Sequence, residues 1–286
     1  MKQFIGTGVA LVTPFDEDGN IDFIGLEKVI EHVIQGGADY LVVQGTTGEA
    51  STLSRQEKRK VLAESLKINK GRLPIVYGIG ANNTQAAIDE INDTDLTGVS
   101  ALLSVSPYYN KPTQQGILYH YTKFADASPV PVILYNVPGR TMSNVAAETT
   151  LELAKHPNII GIKEASGDMV QCMKIANQMP EDFILISGDD MLTTSMKAIG
   201  CEGVISVLSN AVPDIFKTIC HGSPEEAKNA TFRLLDINPL MYVESNPVGV
   251  KNLLKHLGIC GDQVRLPLVR ATKELDQKIK KLATGI

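Results

Sequence analysis

Four features of this sequence have the residue types and spacing to do chemistry on a carbonyl compound. The first is Lys163, which ends the run Asn158-Ile159-Ile160-Gly161-Ile162-Lys163-Glu164-Ala165. Alternation along a strand puts Ile160 and Ile162 on one face and Ile159, Gly161 and Lys163 on the other, and both faces are apolar until the lysine. A strand of that kind is covered on both sides, and burial disfavours the charged form of an amine, leaving a nucleophile for carbonyls. The competing reading is a lysine that leaves the strand end for solvent or pairs with a carboxylate. The second feature is Gly45-Thr46-Thr47-Gly48-Glu49, where two glycines allow a sharp turn and consecutive amides with two hydroxyls can cradle a carboxylate. An ordinary tight turn has the same composition. The third is Tyr135, followed five residues later by Arg140. A phenol can pass protons and a guanidinium fork suits a carboxylate, although a core tyrosine and a solvated arginine are the ordinary roles. The fourth is the pair Tyr108-Tyr109 between Pro107 and Pro112, two aromatics in a loop that cannot become a helix. If exposed, they suggest a partner surface or a site.

These groups sit within a regular alternation of short Val/Ile/Leu-rich runs and longer helical segments, the signature of β-α units around a parallel sheet. The predicted strands are 9–12, 40–44, 74–79, 99–105, 132–136, the Lys163 run, 183–186 and 203–207. Between them fall predicted helices at 23–35, 54–66, 84–92, 114–125, 146–155, 169–178 and 191–199, with Ser54 and Glu57 forming a capping box. Eight strands each followed by a helix predict an α/β fold, a closed (β/α)₈ TIM barrel over residues 1–212. Residues 213–286 predict a C-terminal helical extension packed on the barrel, with helices at 216–220, 224–236, 248–257 and 267–282. In such a barrel the reactive groups sit at the carboxyl ends of the strands, where the polar and glycine-rich insertions of this sequence fall. Ile133 and Tyr135 share a face, and their strand precedes the one bearing Lys163.

A net charge of -5, from 27 basic and 32 acidic residues in 286, supplies no basic field, and no nucleic-acid-binding motif is present. No apolar run approaches the roughly 20 residues needed to cross a membrane. The N-terminal run from Phe4 to Val12 contains Gly6, Thr7 and Gly8 and leads into Asp16-Glu17-Asp18, which reads as a strand rather than a signal peptide. Cys172, Cys201, Cys220 and Cys260 have no paired spacing, so free thiols in the cytoplasm are expected. The five histidines lack metal-ligand spacing, and there is neither a dinucleotide fingerprint nor a Walker sequence. The reading that remains is a reaction without metal or cofactor, using an amine, a phenol and a carboxylate cradle: an imine with a 2-oxo acid.

The stretches Gly45-Thr46-Thr47-Gly48-Glu49, Ser106-Pro107-Tyr108-Tyr109-Asn110, Tyr135-Asn136-Val137-Pro138-Gly139-Arg140-Thr141, Ile160-Gly161-Ile162-Lys163-Glu164-Ala165 and Ser187-Gly188-Asp189-Asp190 occur in order at predicted strand ends. Through them the chain resembles the dihydrodipicolinate synthase/N-acetylneuraminate lyase family over essentially its full length. The resemblance implies that Lys163 forms a Schiff base with pyruvate and that Thr46, Tyr135 and Tyr109 form a proton relay, Tyr109 reaching across a dimer interface. It implies that Thr47 and the backbone near Ile205 bind pyruvate. Arg140, in a Pro-Gly-Arg-Thr element that similar sugar-acid aldolases lack, would hold the carboxylate of L-aspartate 4-semialdehyde. The product would be 4-hydroxy-tetrahydrodipicolinate, on the route to lysine and diaminopimelate, made by a homo-oligomer, a tetramer built as a dimer of dimers. Two alternatives stand beside this: a pyruvate-dependent sugar-acid aldolase, and a catalytically silent barrel that binds 2-oxo acids. The family's inhibitor pocket matches at Asn82 and Tyr108. Ala50, Arg55, Lys58 and Ala86 stand where lysine-sensitive members carry polar, acidic or histidine side chains, so weak or absent inhibition by lysine is expected.

Overall fold

The structure is a computed structural model that describes residues 2–285. Its strands are β1 (Gly6–Ala10), β2 (Tyr40–Val43), β3 (Ile75–Gly78), β4 (Ala101–Val105), β5 (Val132–Asn136), β6 (Ile159–Glu164), β7 (Ile184–Ser187) and β8 (Gly203–Ser206). They form one closed parallel barrel in sequence order, sealed where Gly6 to Val9 of β1 align with Gly203 to Ser206 of β8. The predicted (β/α)₈ architecture is therefore the observed one.

Each strand is apolar on both faces because each face has something to cover it. Ala10, Val42, Val76, Leu103, Ile133, Ile186 and Ile205 turn inward and fill the barrel. Val9, Leu41, Leu102, Leu134, Ile162, Leu185 and Val204 turn outward against the helices. The helices begin where side chains can satisfy their first amides. Asp22, Asn83, Thr113 and Asp168 accept from the first turns of Phe23–Gln35, Thr84–Asn92, Gln114–Ala127 and Met169–Gln178, and Ser54 and Glu57 close the predicted capping box.

Several elements depart from the sequence expectation. Strand β1 lies at Gly6–Ala10 rather than 9–12, taking in the glycines of the Phe4 to Val12 run. A side chain at Gly8 would place its Cβ 2.2 Å from the Tyr40 ring, so the glycine admits a tyrosine into the barrel floor. The alternation assigned to the Lys163 run holds only from Gly161 onward. Pairing shifts by one residue between Val132↔Ile159 and Ile133↔Gly161, so Ile159 packs outward and Ile160 inward, the reverse of the expectation. Pro138–Thr141, expected as loop, is one helical turn with proline at its start, where the missing N–H costs nothing. The final helix starts at Lys273 rather than Pro267, capped by Thr272, because residues 261–271 run without helix or strand, Gln263 and Arg265 bonding to Glu17, Gly19 and Glu49 after β1 and β2.

Helix Pro213–His221 packs on β1 and helix Pro224–Arg233 packs on it in turn, while Val248–His256 pairs with Lys273–Ala283. Among the described residues no helix is long and apolar enough to cross a membrane.

Candidate active site

A cavity of about 250 Å³ opens at the carboxyl ends of the strands. Lys163, Tyr135, Thr46, Thr47 and Arg140 all line it. Five of the seven residues singled out in the sequence thus meet, from four separate segments.

Strand register sets the centre. Tyr135 of β5 and Lys163 of β6 are aligned partners on the inner face, and the lysine Nζ stands 4.2 Å from the centroid of the tyrosine ring. Lys163 is buried except at the cavity. The neighbouring carboxylate of Glu164 points to the opposite face. There it accepts from Asn136 Nδ2 at 3.0 Å, Gln171 Nε2 at 2.9 Å and the Ser166 amide at 2.7 Å. Asn136 also donates to Asn144 Oδ1 at 2.8 Å and accepts from the Val145 amide at 3.0 Å. This network clamps the ends of β5 and β6 together behind the cavity, leaving the amine and the phenol in front.

After β2, Thr46–Gly48 forms a single 3₁₀ turn. Gly48 and Glu49 spend their amides inside it, on the carbonyls of Gly45 and Thr46. The first amides of such a turn have no internal partner, so those of Thr46 and Thr47 are the ones available to an anion. The Thr47 hydroxyl accepts from Asn246 Nδ2 at 3.0 Å, while the Thr46 side chain is exposed toward the opening.

Arg140 sits on the Pro138–Thr141 turn and faces both this cavity and a second one of about 400 Å³. The second cavity shares Gly45, Thr46, Leu103, Tyr135 and Val137 with the first and extends to Lys58 and Tyr108.

The two other residues singled out lie outside the cavity. Tyr109 is 87% exposed, on a loop held with positive φ at both Tyr109 and Lys111. Ile205 is buried in the barrel interior, paired with Gly8, and Val207 two residues later reaches the lining instead.

The structure also adds residues that local pattern did not mark. Asn238, Tyr242 and Asn246 enter the lining from the C-terminal segment, far along the chain from any barrel motif. Gly188 and Asp189 line it too, in a stretch quoted above only as a match. Beside them, Asp190 is buried and accepts from the amides of Leu208 at 2.9 Å and Val207 at 3.3 Å. Burial, with the charge of Asp189 adding to it, pushes the carboxyl up to about 6, against the opposing pull of the Leu208 amide, Ser206 and Lys163.

The histidines are engaged elsewhere, for example His32 with the Ala211 carbonyl and His256 with Asp276. The four cysteines are free. Among the described residues no three His, Cys, Asp or Glu side chains converge as a metal site requires.

Comparison with known proteins gives a consistent result. The model of the dihydrodipicolinate synthetase family matches residues 3–286. A 4-hydroxy-tetrahydrodipicolinate synthase of Cytophaga hutchinsonii is 49% identical over 284 residues, spanning 98% of this chain and 96% of its own length. Among solved structures, the dihydrodipicolinate synthase of Thermotoga maritima superimposes with a TM-score of 0.95 at 33% identity, covering 99% of this chain and 98% of its own. The enzyme of Cyanidioschyzon merolae, solved with lysine bound, does so with a TM-score of 0.94 at 37% identity and 99% of each chain.

Proposed function

The chain belongs to the dihydrodipicolinate synthetase family and condenses pyruvate with L-aspartate 4-semialdehyde to 4-hydroxy-tetrahydrodipicolinate; we propose that it does so through an imine on Lys163. The observation that carries this reading is the Lys163 amine, buried over the Tyr135 ring at 4.2 Å and open only to a cavity that Thr46, Thr47 and Arg140 also line.

The pyruvate carboxylate lies against the free amides and hydroxyl at Thr46 and Thr47, with backbone near Ile205 and Val207 closing the other side. The lysine amine adds to the ketone carbon, and loss of water gives the imine. A proton leaves the methyl group to give the enamine, whose carbon attacks the aldehyde of the second substrate while Arg140 holds that substrate's carboxylate. The substrate amine then attacks the imine carbon, closes the ring and releases Lys163. One water is lost and the lysine returns unchanged. Tyr135 and Thr46 stand where these protons must move, and each transfer needs a donor or acceptor at the reacting atom.

The third member of the relay is Tyr109 of the partner subunit. Its 87% exposure on a backbone strained toward positive φ supports a side chain projected into a neighbouring copy. The assembly is a homotetramer, a dimer of such dimers, working in the cytoplasm.

The test is mass spectrometry of protein incubated with pyruvate and borohydride, with peptide mapping, turnover on the semialdehyde and the native mass read on the same preparation. A reduced pyruvate adduct on Lys163, with turnover and a tetramer mass, is expected. An adduct without turnover would move the acceptor to a sugar aldehyde, and no adduct would remove the imine.

A further inference from the structure

Lys251, on the C-terminal helix Val248–His256, is 0% exposed and is the other buried lysine among the described residues besides Lys163, and no step of the reaction uses it. Its amine pairs with Glu49 Oε1 at 2.5 Å, donates to the Gln263 carbonyl at 2.7 Å and stands 4.2 Å from the centroid of the Phe15 ring. The Arg265 guanidinium lies 4.5 Å from that same ring centroid and pairs with Glu57, while the Arg265 amide donates to Glu49 Oε2 at 3.0 Å. Two cations and two carboxylates are thus assembled around one phenylalanine. Burial draws the Lys251 amine downward and the Glu49 carboxylate opposes that.

A buried ion pair is a poor way to gain stability, because desolvating both charges offsets most of their attraction, and apolar residues of equal volume do as well or better. Its position here gives it another use. Glu49 ends the turn that carries Thr46 and Thr47, and its own backbone is in the left-handed region at φ 52. The rest of the turn is also tied, Thr47 Oγ1 to Asn246 Nδ2 and the Gly48 carbonyl to Thr13 Oγ1 at 2.7 Å. Asn246 and Lys251 both come from the stem and first turn of one helix, Val248–His256. The C-terminal segment therefore grips the threonine turn at two points.

We propose that Lys251 and Glu49 are positioning residues for the pyruvate end of the site, their buried pair fixing the Thr46-Thr47 amides and hydroxyls against Lys163. The inference rests on the reading of that turn as the pyruvate cradle. Arg140 reaches the cavity from the far side, on the turn after β5, so the semialdehyde end is independent of the pair.

The test uses the full-length enzyme and three variants: Lys251→Met, Glu49→Gln and the double Glu49→Gln/Lys251→Met. Lys251→Met leaves a buried carboxylate unpaired and lowers the melting temperature; the double variant removes both charges and regains it. A purely structural pair predicts that kinetics recover with stability. Positioning predicts that they do not: in the folded double variant the KM for pyruvate stays raised about tenfold and kcat stays down by up to about 100-fold, the cost of a misplacement near 1 Å. The KM for the semialdehyde is unchanged. Wild-type pyruvate kinetics in the double variant, or equal rises in both KM values, would overturn the proposal. Hydrogen exchange on the wild type does not depend on any variant folding. Pyruvate should protect residues 46–49 and 248–265 together, and protection of the first alone would also overturn it. The wild-type borohydride adduct is measured in parallel: its absence defeats the imine itself, whereas its presence with indifferent variants defeats only the positioning role.

Discussion

Gly188→Ala is the smallest change that should separate a folded barrel from a working one. Gly188 follows β7 in the loop that lines the cavity. A Cβ built on it falls 2.6 Å from the Ala165 Cβ, 3.1 Å from the Glu164 carbonyl oxygen and 3.1 Å from the Lys163 Cε. Carbon atoms in ordinary contact stand about 3.5–4.0 Å apart, so the methyl must push Ala165 away by about 1 Å. Ala165 is backbone-bonded through its amide to Asn136, and Glu164 is held by Asn136, Gln171 and Ser166, so neither yields cheaply. The lysine side chain is the flexible neighbour. Overpacking of this size costs about 1–3 kcal/mol of stability, which a barrel of this size survives. Moving the amine by about 1 Å from the ketone costs on the order of 100-fold in rate. The assay pairs a thermal melt with the rate of pyruvate adduct formation under borohydride and with turnover. A modest loss of melting temperature with a roughly 100-fold slower adduct step is expected. If the variant is folded and both rates stay within about threefold of wild type, the inferred crowding at Lys163 is wrong.

Two further outcomes follow from charges away from the reacting amine. His120 is buried beside Phe124 with Nδ1 on the Thr84 hydroxyl, and burial pulls its imidazole down to about 4 from its ordinary value near 6.5. As pH falls below 6.5 the unfolded chain takes this proton first, so stability is lost between pH 6.5 and 4, by about 3 kcal/mol at most. Urea unfolding of wild type and His120→Gln across that range should diverge accordingly, and parallel curves would refute the shift. The second outcome concerns free lysine as an inhibitor. Lys58 and Arg55, expected to repel it, are already paired with Glu90 at 2.9 Å and Asp93 at 3.1 Å. Weak inhibition therefore rests on the missing carboxylate at Ala86, without which a cationic ligand has no fixed counter-charge there. Half-inhibition well below about 1 mM lysine in a steady-state titration would refute it.

Much of the barrel was legible because its local signals agree with its global one. Helices Phe23–Gln35, Thr84–Asn92 and Met169–Gln178 and strand β5 fall at their predicted bounds. Those three helices begin with an Asp or Asn whose side chain accepts from the first turn, so periodicity and capping coincide. The misreadings occur where a distant partner decides. Gly6-Thr7-Gly8 falls outside the strand predicted at 9–12, because nothing local shows that Tyr40, on another strand, occupies the space a Cβ at Gly8 would take. Gly203 is bound in the same way, since its Cβ would lie 2.0 Å from the Gly6 carbonyl at the barrel seam. The bulge at Ile160 has no signal in a run of isoleucines, which suits either face.

The site divides along the same line, and the division bears on how it works. Lys163, Tyr135, Thr46, Thr47 and Arg140 could be singled out because each occupies a strand end or the loop after it, where barrel geometry concentrates reactive groups. Asn238, Tyr242 and Asn246 could not, because nothing local ties the C-terminal segment to the barrel mouth. Yet that segment supplies Asn246 to Thr47 and Lys251 to Glu49, the contacts that hold the threonine turn. The barrel strands deliver the amine and the phenol in register by pairing β5 with β6. A loop has no such register, and a single 3₁₀ turn cannot hold a carboxylate cradle to a fraction of an ångström by its own two hydrogen bonds. If the turn is the proposed pyruvate cradle, its precision comes from Thr13 on the barrel side and from Asn246 and Lys251 of the C-terminal segment, so truncation after Pro213–His221 should abolish pyruvate binding even in a chain whose eight strands remain paired.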